Sequence, residues 1–297
     1  MLKTKSRGLK SKQQLVGWLF VAIPALLIFI FSFYPMIQSF ILSLQSGKGT
    51  VYHFVGLKNY IRLFSDPMFK QAVANTFLYL VIQVPIMLLL GLVIANLLNT
   101  PSLKGRAFYR TAIFLPCVTS LVAYSVLFKS IFAYDGIVNK ALITLHLLDQ
   151  PIAWLLDPFW AKIVIIIAIT WRWTGYNMIF YLASMQNIDS SIYEAAEIDG
   201  ASKFQQFKAI TIPLLKPIIL LTTIMSTNGT LQLFDESMNI TSGGPGNSTM
   251  TISQYIYNLS FVYTPNFGYA ATVSYAIVFM VAILAFLHFK VAGDQND

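Results

Sequence analysis

The chain has 297 residues, of which 56% are hydrophobic and only 11% are charged, and its formal net charge is +8. A mean hydropathy of +0.65 is more than a water-soluble domain of this size needs, so the sequence predicts a polytopic membrane protein. The positive charge does not indicate nucleic-acid binding, because the lysines and arginines lie between apolar runs, where they act as orientation signals.

Cysteine and histidine usage excludes two further classes. The single cysteine, Cys117, lies in an apolar run and cannot form an intrachain disulfide. The histidines at 53, 146 and 288 are far apart and match no metal-ligand spacing. The sequence therefore indicates neither a disulfide scaffold nor a metal enzyme.

Apolar runs of about 20 residues are long enough to cross a bilayer as helices. We expect an all-α protein with six such spans, near residues 16–40, 77–98, 112–132, 161–182, 214–234 and 269–289. The first run is too long for the apolar region of a signal peptide, so we expect it to stay uncleaved. The predicted organisation is a tail at 1–15, a six-span domain at 16–289 and a tail at 290–297.

Basic residues predict the orientation of these spans. The N-terminal lysines place the first tail in the cytoplasm by the positive-inside rule, and both termini then lie inside. No lysine or arginine occurs between Lys216 and Lys290, which fits an exterior location for the region between the fifth and sixth spans. One predicted outer loop departs from the rule and contains four basic residues: Lys48, Lys58, Arg62 and Lys70.

That first outer loop also has apolar residues at helical spacing, beginning at the segment F-V-G-L-K-N-Y, residues 54–60. This pattern predicts an amphipathic helix that lies at the membrane interface and covers the outer mouth.

The fourth and fifth spans contain polar residues that a lipid-facing helix would avoid. Arg172 lies between Trp171 and Trp173 and should face protein or a water-filled path. A buried pairing with a carboxylate or carbonyls and a direct contact with substrate are both compatible with this position. The fifth span is interrupted by Thr222, Ser226 and other hydrogen-bonding residues, which indicate a polar cavity or a helix interface.

Residues 188–217 form a polar stretch between two apolar runs. Ser191 and Glu194 fit a capping box that predicts a helix starting at Ser191, and Gly200 is suited to end that helix. A second helical piece is expected at 201–210. The sequence therefore predicts a short helix, a glycine turn and another short helix between two spans.

The residues of this stretch resemble the cytoplasmic EAA loop of binding-protein-dependent ABC importer permeases. They are most similar to the loop of the sugar-importing branch, which includes maltose and glycerol-phosphate permeases. The resemblance is carried by Tyr193, Glu194, Ala195, Ala196, Asp199, Gly200 and Ala201. A second motif, T-S-G-G-P-G-N-S-T at 241–249, lacks the lysine of a P-loop and is similar to an outer loop of the maltose F-type subunit.

The resemblance implies a type I ABC importer permease fold with a cytoplasmic coupling helix in the loop 186–213. It implies a bacterial cell-membrane protein that pairs with a second homologous permease, two cytoplasmic ATPases and an extracytoplasmic solute-binding protein. The expected substrate is a sugar or oligosaccharide. No cofactor is expected on this chain, since ATP and Mg would be used by the ATPase partner, and no nucleic acid is expected as a partner.

The same resemblance implies that residues of the fourth and fifth spans contact the substrate. The matching positions are Trp171, Thr174, Gly175, Met178, Ile179, Ser226, Thr230 and Leu233. An ion-coupled secondary transporter of a small polar solute is the alternative, although the predicted span cores contain almost no carboxylates. A membrane enzyme is disfavoured because no cluster of His, Asp or Glu has metal-binding or catalytic spacing.

Overall fold

A computed structural model describes residues 4–48, 51–100 and 102–293. Four uninterrupted helices are long and apolar enough to cross a membrane, at Val16–Ser43, Pro67–Asn99, Pro158–Met185 and Phe267–Lys290. Two bent helix pairs bring the number of spans to six if each pair is one span. The prediction of an all-α polytopic membrane protein is confirmed.

Fourteen α-helices occur in the described part of the chain. They are α1 (Thr4–Ile28), α2 (Tyr34–Ser43), α3 (Lys58–Leu63), α4 (Pro67–Asn99), α5 (Arg106–Val118), α6 (Leu121–Ile131), α7 (Ile137–Thr144), α8 (Pro158–Met185), α9 (Ser190–Ile198), α10 (Lys203–Gln206), α11 (Ile212–Leu214), α12 (Lys216–Leu231), α13 (Ile252–Tyr257) and α14 (Phe267–Gly293). Short π-helical segments occur at Phe29–Phe33, Phe207–Thr211, Ser237–Thr241 and Asn258–Val262.

Both predicted tails are helical where the structure describes them. Helix α1 already begins at Thr4, so the segment predicted as an N-terminal tail is helical from that residue onward. Helix α14 extends to Gly293, and the last part of the predicted C-terminal tail, 294–297, lies outside the described residues. The cytoplasmic location of both tails remains a prediction.

A short antiparallel hairpin follows the first span and was absent from the sequence prediction. Strand β1 (Gln45–Lys48) pairs with β2 (Val51–Phe54), and Gln45 lies opposite Phe54. The first strand reads Gln-Ser-Gly-Lys, which has neither the β-branched residues nor the alternation that identify a strand in sequence.

The third span is broken where a continuous helix was predicted. Helices α5 and α6 meet at an angle of 100°. Pro116 lies in the last turn of α5, and the backbone of Thr119 is extended, with φ −73° and ψ 150°. Proline removes a backbone donor from the helix ladder, which favours such a break. The carbonyls released at the break need partners from elsewhere in the protein.

The fifth span is also bent, by 68°, between the segments Lys203–Leu214 and Lys216–Leu231. It ends three residues before the predicted limit of 234. The chain beyond it folds back onto α4 instead of forming a simple exposed loop. There the Asn75 side chain donates to the Met250 carbonyl at 2.9 Å, and the Ile252 amide donates to the Thr76 hydroxyl at 3.2 Å.

Helices α4 and α8 form the centre of the bundle. Gly91 of α4 permits their close approach, because a Cβ there would lie only 3.2 Å from the Asn177 Cβ and 3.3 Å from the Met178 amide nitrogen. Below this crossing, Leu92 and Ala95 of α4 join a buried cluster with Met178 and Tyr181 of α8. The rigid pair of helices holds one wall of the cavity described below.

At the opposite end of α4, the buried Asp66 joins three parts of the chain. Its carboxylate accepts hydrogen bonds from the amides of Met68 and Phe69, which cap α4, at 2.9 and 3.2 Å. The hydroxyls of Tyr255 and Tyr269 each donate to the same carboxylate at 2.6 Å. Asp66 therefore ties the start of α4 to α13 and α14.

These contacts also set the charge state of Asp66. Burial by itself raises the pKa of this carboxyl, but the hydrogen bonds from Tyr255, Tyr269 and the two amides outweigh burial and hold the pKa below its ordinary value of 3.8. Because the pKa is lower in the folded state, ionisation of Asp66 stabilises the fold. This contribution is complete above pH 3.8 and is lost as the pH falls through the lower pKa of the folded state.

Replacing Asp66 tests this junction. We expect Asp66→Ala to destabilise the protein by about 2 to 4 kcal/mol, because it removes a helix cap and leaves two buried hydroxyls without an acceptor. Thermal unfolding in detergent measures the change, and the exposed neighbour variant Ser65→Ala is the control. Equal unfolding temperatures for the two variants would show that the junction contributes nothing.

Candidate functional site

A cavity of about 570 Å³ opens where α4, α8 and α12 meet. Its walls come from these three helices, from the start of α6 and from the residues that follow α12. The lining residues are Gln83, Met87, Leu121, Ile169, Arg172, Trp173, Tyr176, Asn177, Met225, Ser226, Gly229, Thr230, Gln232, Leu233, Phe234, Asp235 and Glu236. The position of Gln83, half-way along α4, places the cavity in the middle of the membrane.

Three of the eight predicted substrate-path residues line this cavity: Ser226, Thr230 and Leu233. The Thr230 hydroxyl donates to the side-chain oxygen of Gln83 at 3.3 Å, which joins α12 to α4 at the cavity wall. Gln83 is a lone amide within an apolar run, and that isolation is the sequence signal by which it could have been found.

The five predicted residues of the fourth span lie on other faces of α8. The Trp171 ring packs against Tyr124 and Phe128, with centroid separations of 6.1 and 5.6 Å. Thr174 and Met178 are buried in helix contacts, and Ile179 packs against the cluster below the cavity. These five do not line the cavity, and their role in substrate contact stays a prediction.

The packing of α8 against α5 explains why position 175 is a glycine. A Cβ at this position would lie 2.1 Å from the Ile113 carbonyl oxygen of α5. Glycine therefore allows the backbones of α5 and α8 to touch, as small residues do at helix interfaces in membranes.

The residues of α8 that do face the cavity are Ile169, Arg172, Trp173, Tyr176 and Asn177. Their spacing of i, i+3, i+4, i+7 and i+8 is one stripe of a helix. The sequence contained this pattern, but nothing in the sequence indicated which stripe faces inward.

Arg172 is 6% exposed and lies at the break of the third span. Its guanidinium donates to the Thr119 carbonyl oxygen at 3.3 Å, and it lies 5.0 Å from the centroid of the Tyr124 ring. The thiol of Cys117 in turn donates to the Arg172 carbonyl oxygen at 2.8 Å. The expectation of a buried arginine paired with a carbonyl is met here, and the same side chain also lines the cavity.

The cavity combines charge with aromatic surface. Its lining contains one cation, Arg172, and two carboxylates, Asp235 and Glu236, of which Glu236 is 3% exposed. The rings of Trp173 and Tyr176 are 5.9 Å apart and add apolar faces. Donors, acceptors and aromatic faces in one largely apolar chamber suit a solute that has both hydroxyl groups and C–H surfaces.

The polar stretch after the fourth span forms a protruding elbow, which we define as residues 189–211. Helix α9 begins at Ser190, one residue earlier than predicted, and Asp189 caps it by accepting from the Ser191 amide at 2.9 Å. The predicted capping box at Ser191 and Glu194 does not form. A complete capping box forms instead at α10, between Ser202 and Gln205.

Asp189 takes the capping role because aspartate is a strong helix cap and lies one residue before the first helical turn. The hydrogen bonds from the Ser191 amide and hydroxyl hold the pKa of the Asp189 carboxyl below its ordinary value of 3.8. The cap is therefore fully charged at neutral pH.

The glycine turn has the predicted form. Gly200 has φ +80°, the left-handed conformation that glycine adopts most easily, and it ends α9. Within the elbow, the hydroxyls of Tyr193 and Thr211 lie 2.9 Å apart and join α9 to the segment that leads into the fifth span. The side chains of Glu194, Ala195 and Asp199 are exposed, and Ala196 and Ala201 are partly exposed.

Comparison with known proteins assigns the family. The model described as binding-protein-dependent transport system inner membrane component matches residues 87–292. The chain belongs to this permease family. It is 57% identical to the lactose transport system permease protein LacF of Rhizobium radiobacter, with 100% of both chains covered. It is 31% identical to the arabinooligosaccharides transport system permease protein AraP of Bacillus subtilis, with 97% of this chain and 92% of AraP covered.

The fold of this permease is also found in a solved structure. A chain of a bacterial ABC transporter involved in the import of the acidic polysaccharide alginate superposes with a TM-score of 0.86 and 22% sequence identity. The superposition covers 98% of this chain and 100% of the other. The shared fold includes the whole six-span unit, which confirms the expectation of an ABC importer permease fold.

Replacing Gly175 tests its role in the packing of α8 against α5. We expect Gly175→Ala to destabilise the protein by about 1 to 3 kcal/mol, because the added methyl group would force α5 and α8 apart. Gly229→Ala is the matched control, since a Cβ at that helical glycine meets nothing within 4 Å. Thermal unfolding of both variants in detergent is the measurement, and an undisturbed Gly175→Ala protein would refute the packing role.

Proposed function

We propose that this chain is the transmembrane permease subunit of an ATP-driven, binding-protein-dependent importer for a sugar or oligosaccharide. The observation that carries the proposal is a cavity in the permease fold whose wall combines aromatic faces with a few polar and charged side chains. The relatives named above serve lactose and arabinooligosaccharides, and lactose is the first substrate to test because LacF is 57% identical. The chain itself serves as a transport component and forms no covalent bond with the solute.

The chemistry of the cavity supports a saccharide. Carboxyl groups accept hydrogen bonds from hydroxyl groups, and a guanidinium donates hydrogen bonds to hydroxyl or ring oxygens. Arg172 lines the cavity, and its Nε and Nη1 atoms are buried and have no partner among the described residues. Trp173 and Tyr176 supply ring faces on which the C–H surface of a sugar packs.

A second homologous permease would complete the translocation path. The most apolar stretch of the first span has no buried residue, and Asn228 and Gln232 are exposed on α12. Exposed amides within a membrane-spanning segment are costly when they face lipid, so they favour a protein or pore neighbour. An extracytoplasmic solute-binding protein would deliver the sugar to the end of the path opposite the elbow.

The elbow is the proposed docking site for the ATPase pair. Its tip presents Ile198 and Phe204, which are 87% and 73% exposed. Apolar side chains so exposed on a polar segment favour a protein partner that covers them. Tyr193, Glu194, Ala195, Ala196, Asp199, Gly200 and Ala201 would then carry the coupling contact.

A rigid lever joins the elbow to the cavity. Tyr193 contacts Thr211, and the chain continues from there through α11 into α12, which contains Ser226 and Thr230. Closure of the ATPase dimer would push the elbow and tilt the fourth and fifth spans between inward- and outward-facing states.

The proposed setting is the bacterial cell membrane, with both termini and the elbow in the cytoplasm. ATP and Mg would be bound and used by the ATPase partner, and this chain would bind no cofactor of its own. The elbow would thus lie on the same side of the membrane as the nucleotide.

Uptake by the reconstituted importer tests the function. Proteoliposomes that contain this permease, its partner permease and the ATPases should accumulate labelled lactose when ATP is inside and binding protein is outside. A proton ionophore should leave this uptake unchanged, because ATP supplies the energy directly. Uptake that survives ATP depletion and stops with the ionophore would identify an ion-coupled secondary transporter instead.

The lever is tested at Gly200. We expect Gly200→Val to uncouple ATP hydrolysis from uptake while insertion and assembly persist, since valine at φ +80° costs about 1 to 2 kcal/mol locally and distorts the elbow. Hydrolysis and uptake are measured in the same proteoliposomes.

Gly246→Val is the matched control for this variant. Gly246 has φ +57°, and a Cβ there meets nothing within 4 Å, as at Gly200, but it lies in the connection between the fifth and sixth spans. Normal coupling in Gly200→Val, or equal uncoupling in both variants, would contradict the lever.

A further inference from the structure

The structure explains the basic outer loop that departs from the positive-inside pattern. Residues 54–64, which we call the outer ledge, include the end of β2 and the short helix α3. The ledge lies at the end of the bundle opposite the elbow, beside the last residue of α2 and the first residues of α4 and α14.

Side-chain contacts fix the ledge to three spans. The Asn59 amide donates to the carbonyl oxygens of Ser43 and Gln45 at 3.0 and 2.8 Å, which ties the ledge to the end of the first span. Leu63 is 6% exposed and packs in the cluster that contains Ala72 of α4 and Tyr269 of α14. The ledge is therefore held at the level where spans leave the membrane.

One face of the ledge is apolar and uncovered. Phe54, Leu57, Ile61 and Phe64 are 76%, 64%, 68% and 81% exposed. At about 100° per residue, positions 57, 61 and 64 fall within one narrow sector of a helix, on the side away from the buried Asn59 and Leu63.

Basic residues flank this apolar face. Lys58 and Arg62 occupy the adjacent helical sector, and Lys70 follows in the first turn of α4; all three are exposed. The Arg62 guanidinium lies 4.0 Å from the centroid of the Tyr269 ring, which orients it at the end of α14. Among the described residues the single ion pair joins Lys203 to Glu197, so these three cations have no carboxylate partner.

The neighbouring carboxylate cannot neutralise them. Asp66 is buried and already accepts hydrogen bonds from two tyrosine hydroxyls and two amides. An apolar face bordered by unpaired cations at the membrane boundary has the charge and shape of an interfacial anchor. A solute or a water-facing surface would not account for the four large apolar side chains.

We propose that the outer ledge is a membrane anchor whose apolar face enters the acyl boundary, and that Lys58 and Arg62 of the ledge, together with Lys70 of α4, bind anionic phospholipid headgroups. The anchor holds the outer ends of the first, second and sixth spans at the membrane surface. The basic residues of this loop then serve lipid binding and do not contradict the orientation set by the N-terminus.

The test places a reporter on the ledge. In the assembled importer with its other cysteines replaced, Phe64→Cys is labelled with an environment-sensitive fluorophore and placed in nanodiscs of phosphatidylcholine and phosphatidylglycerol. We expect brominated lipids to quench the reporter, and brominated phosphatidylglycerol to do so about two-fold more strongly than brominated phosphatidylcholine.

A charge variant tests the headgroup contact. Replacing Lys58, Arg62 and Lys70 together by Gln should make quenching by the two brominated lipids equal while the reporter remains quenched. If no lipid quenches the Phe64→Cys reporter, the proposal of a membrane anchor is wrong. That result would indicate that a protein partner covers the apolar face of the ledge. Equal quenching by both lipids before the charges are removed would overturn the anionic-headgroup assignment.

Discussion

The structure depends on how a broken span satisfies its polar groups inside the membrane. The third span bends by 100° between α5 and α6, and Arg172 donates to the Thr119 carbonyl oxygen at that break. A backbone carbonyl without a hydrogen bond and an unpaired guanidinium are each unfavourable in hydrocarbon. The hydrogen bond between them reduces both penalties. The arginine of the fourth span therefore stabilises the break.

This arrangement creates the cavity. Arg172 is held at the break and forms part of the wall shared with Gln83 and Thr230. The polar residues that close this chamber, Asp235 and Glu236, follow the end of α12, where the chain leaves its helix and turns back onto α4. Irregular backbone at membrane depth thus lines a chamber and does not face lipid.

The two ends of the bundle have different surfaces, and the difference suits their proposed partners. The elbow is short, polar and exposed, with isolated apolar side chains at its tip, and it connects through Thr211 to the cavity-lining helix. The outer ledge is fixed to three spans by Asn59 and Leu63 and presents a continuous apolar face beside cations. The elbow thus connects the fourth and fifth spans, whereas the ledge contacts the first, second and sixth spans.

The sequence alone determined the class of protein, the approximate spans, the family resemblance and the glycine turn at Gly200. These features depend on local composition, hydrophobic length and the conformational freedom of one residue. Three residues that the resemblance assigned to the substrate path, Ser226, Thr230 and Leu233, line the cavity. Only the tertiary structure decided which stripe of α8 faces inward, where the third span breaks and how residues 232–262 fold back onto α4. Those features follow from contacts between residues far apart in the chain, such as Gly175 with Ile113 and Arg172 with Thr119, and a local pattern does not contain such contacts.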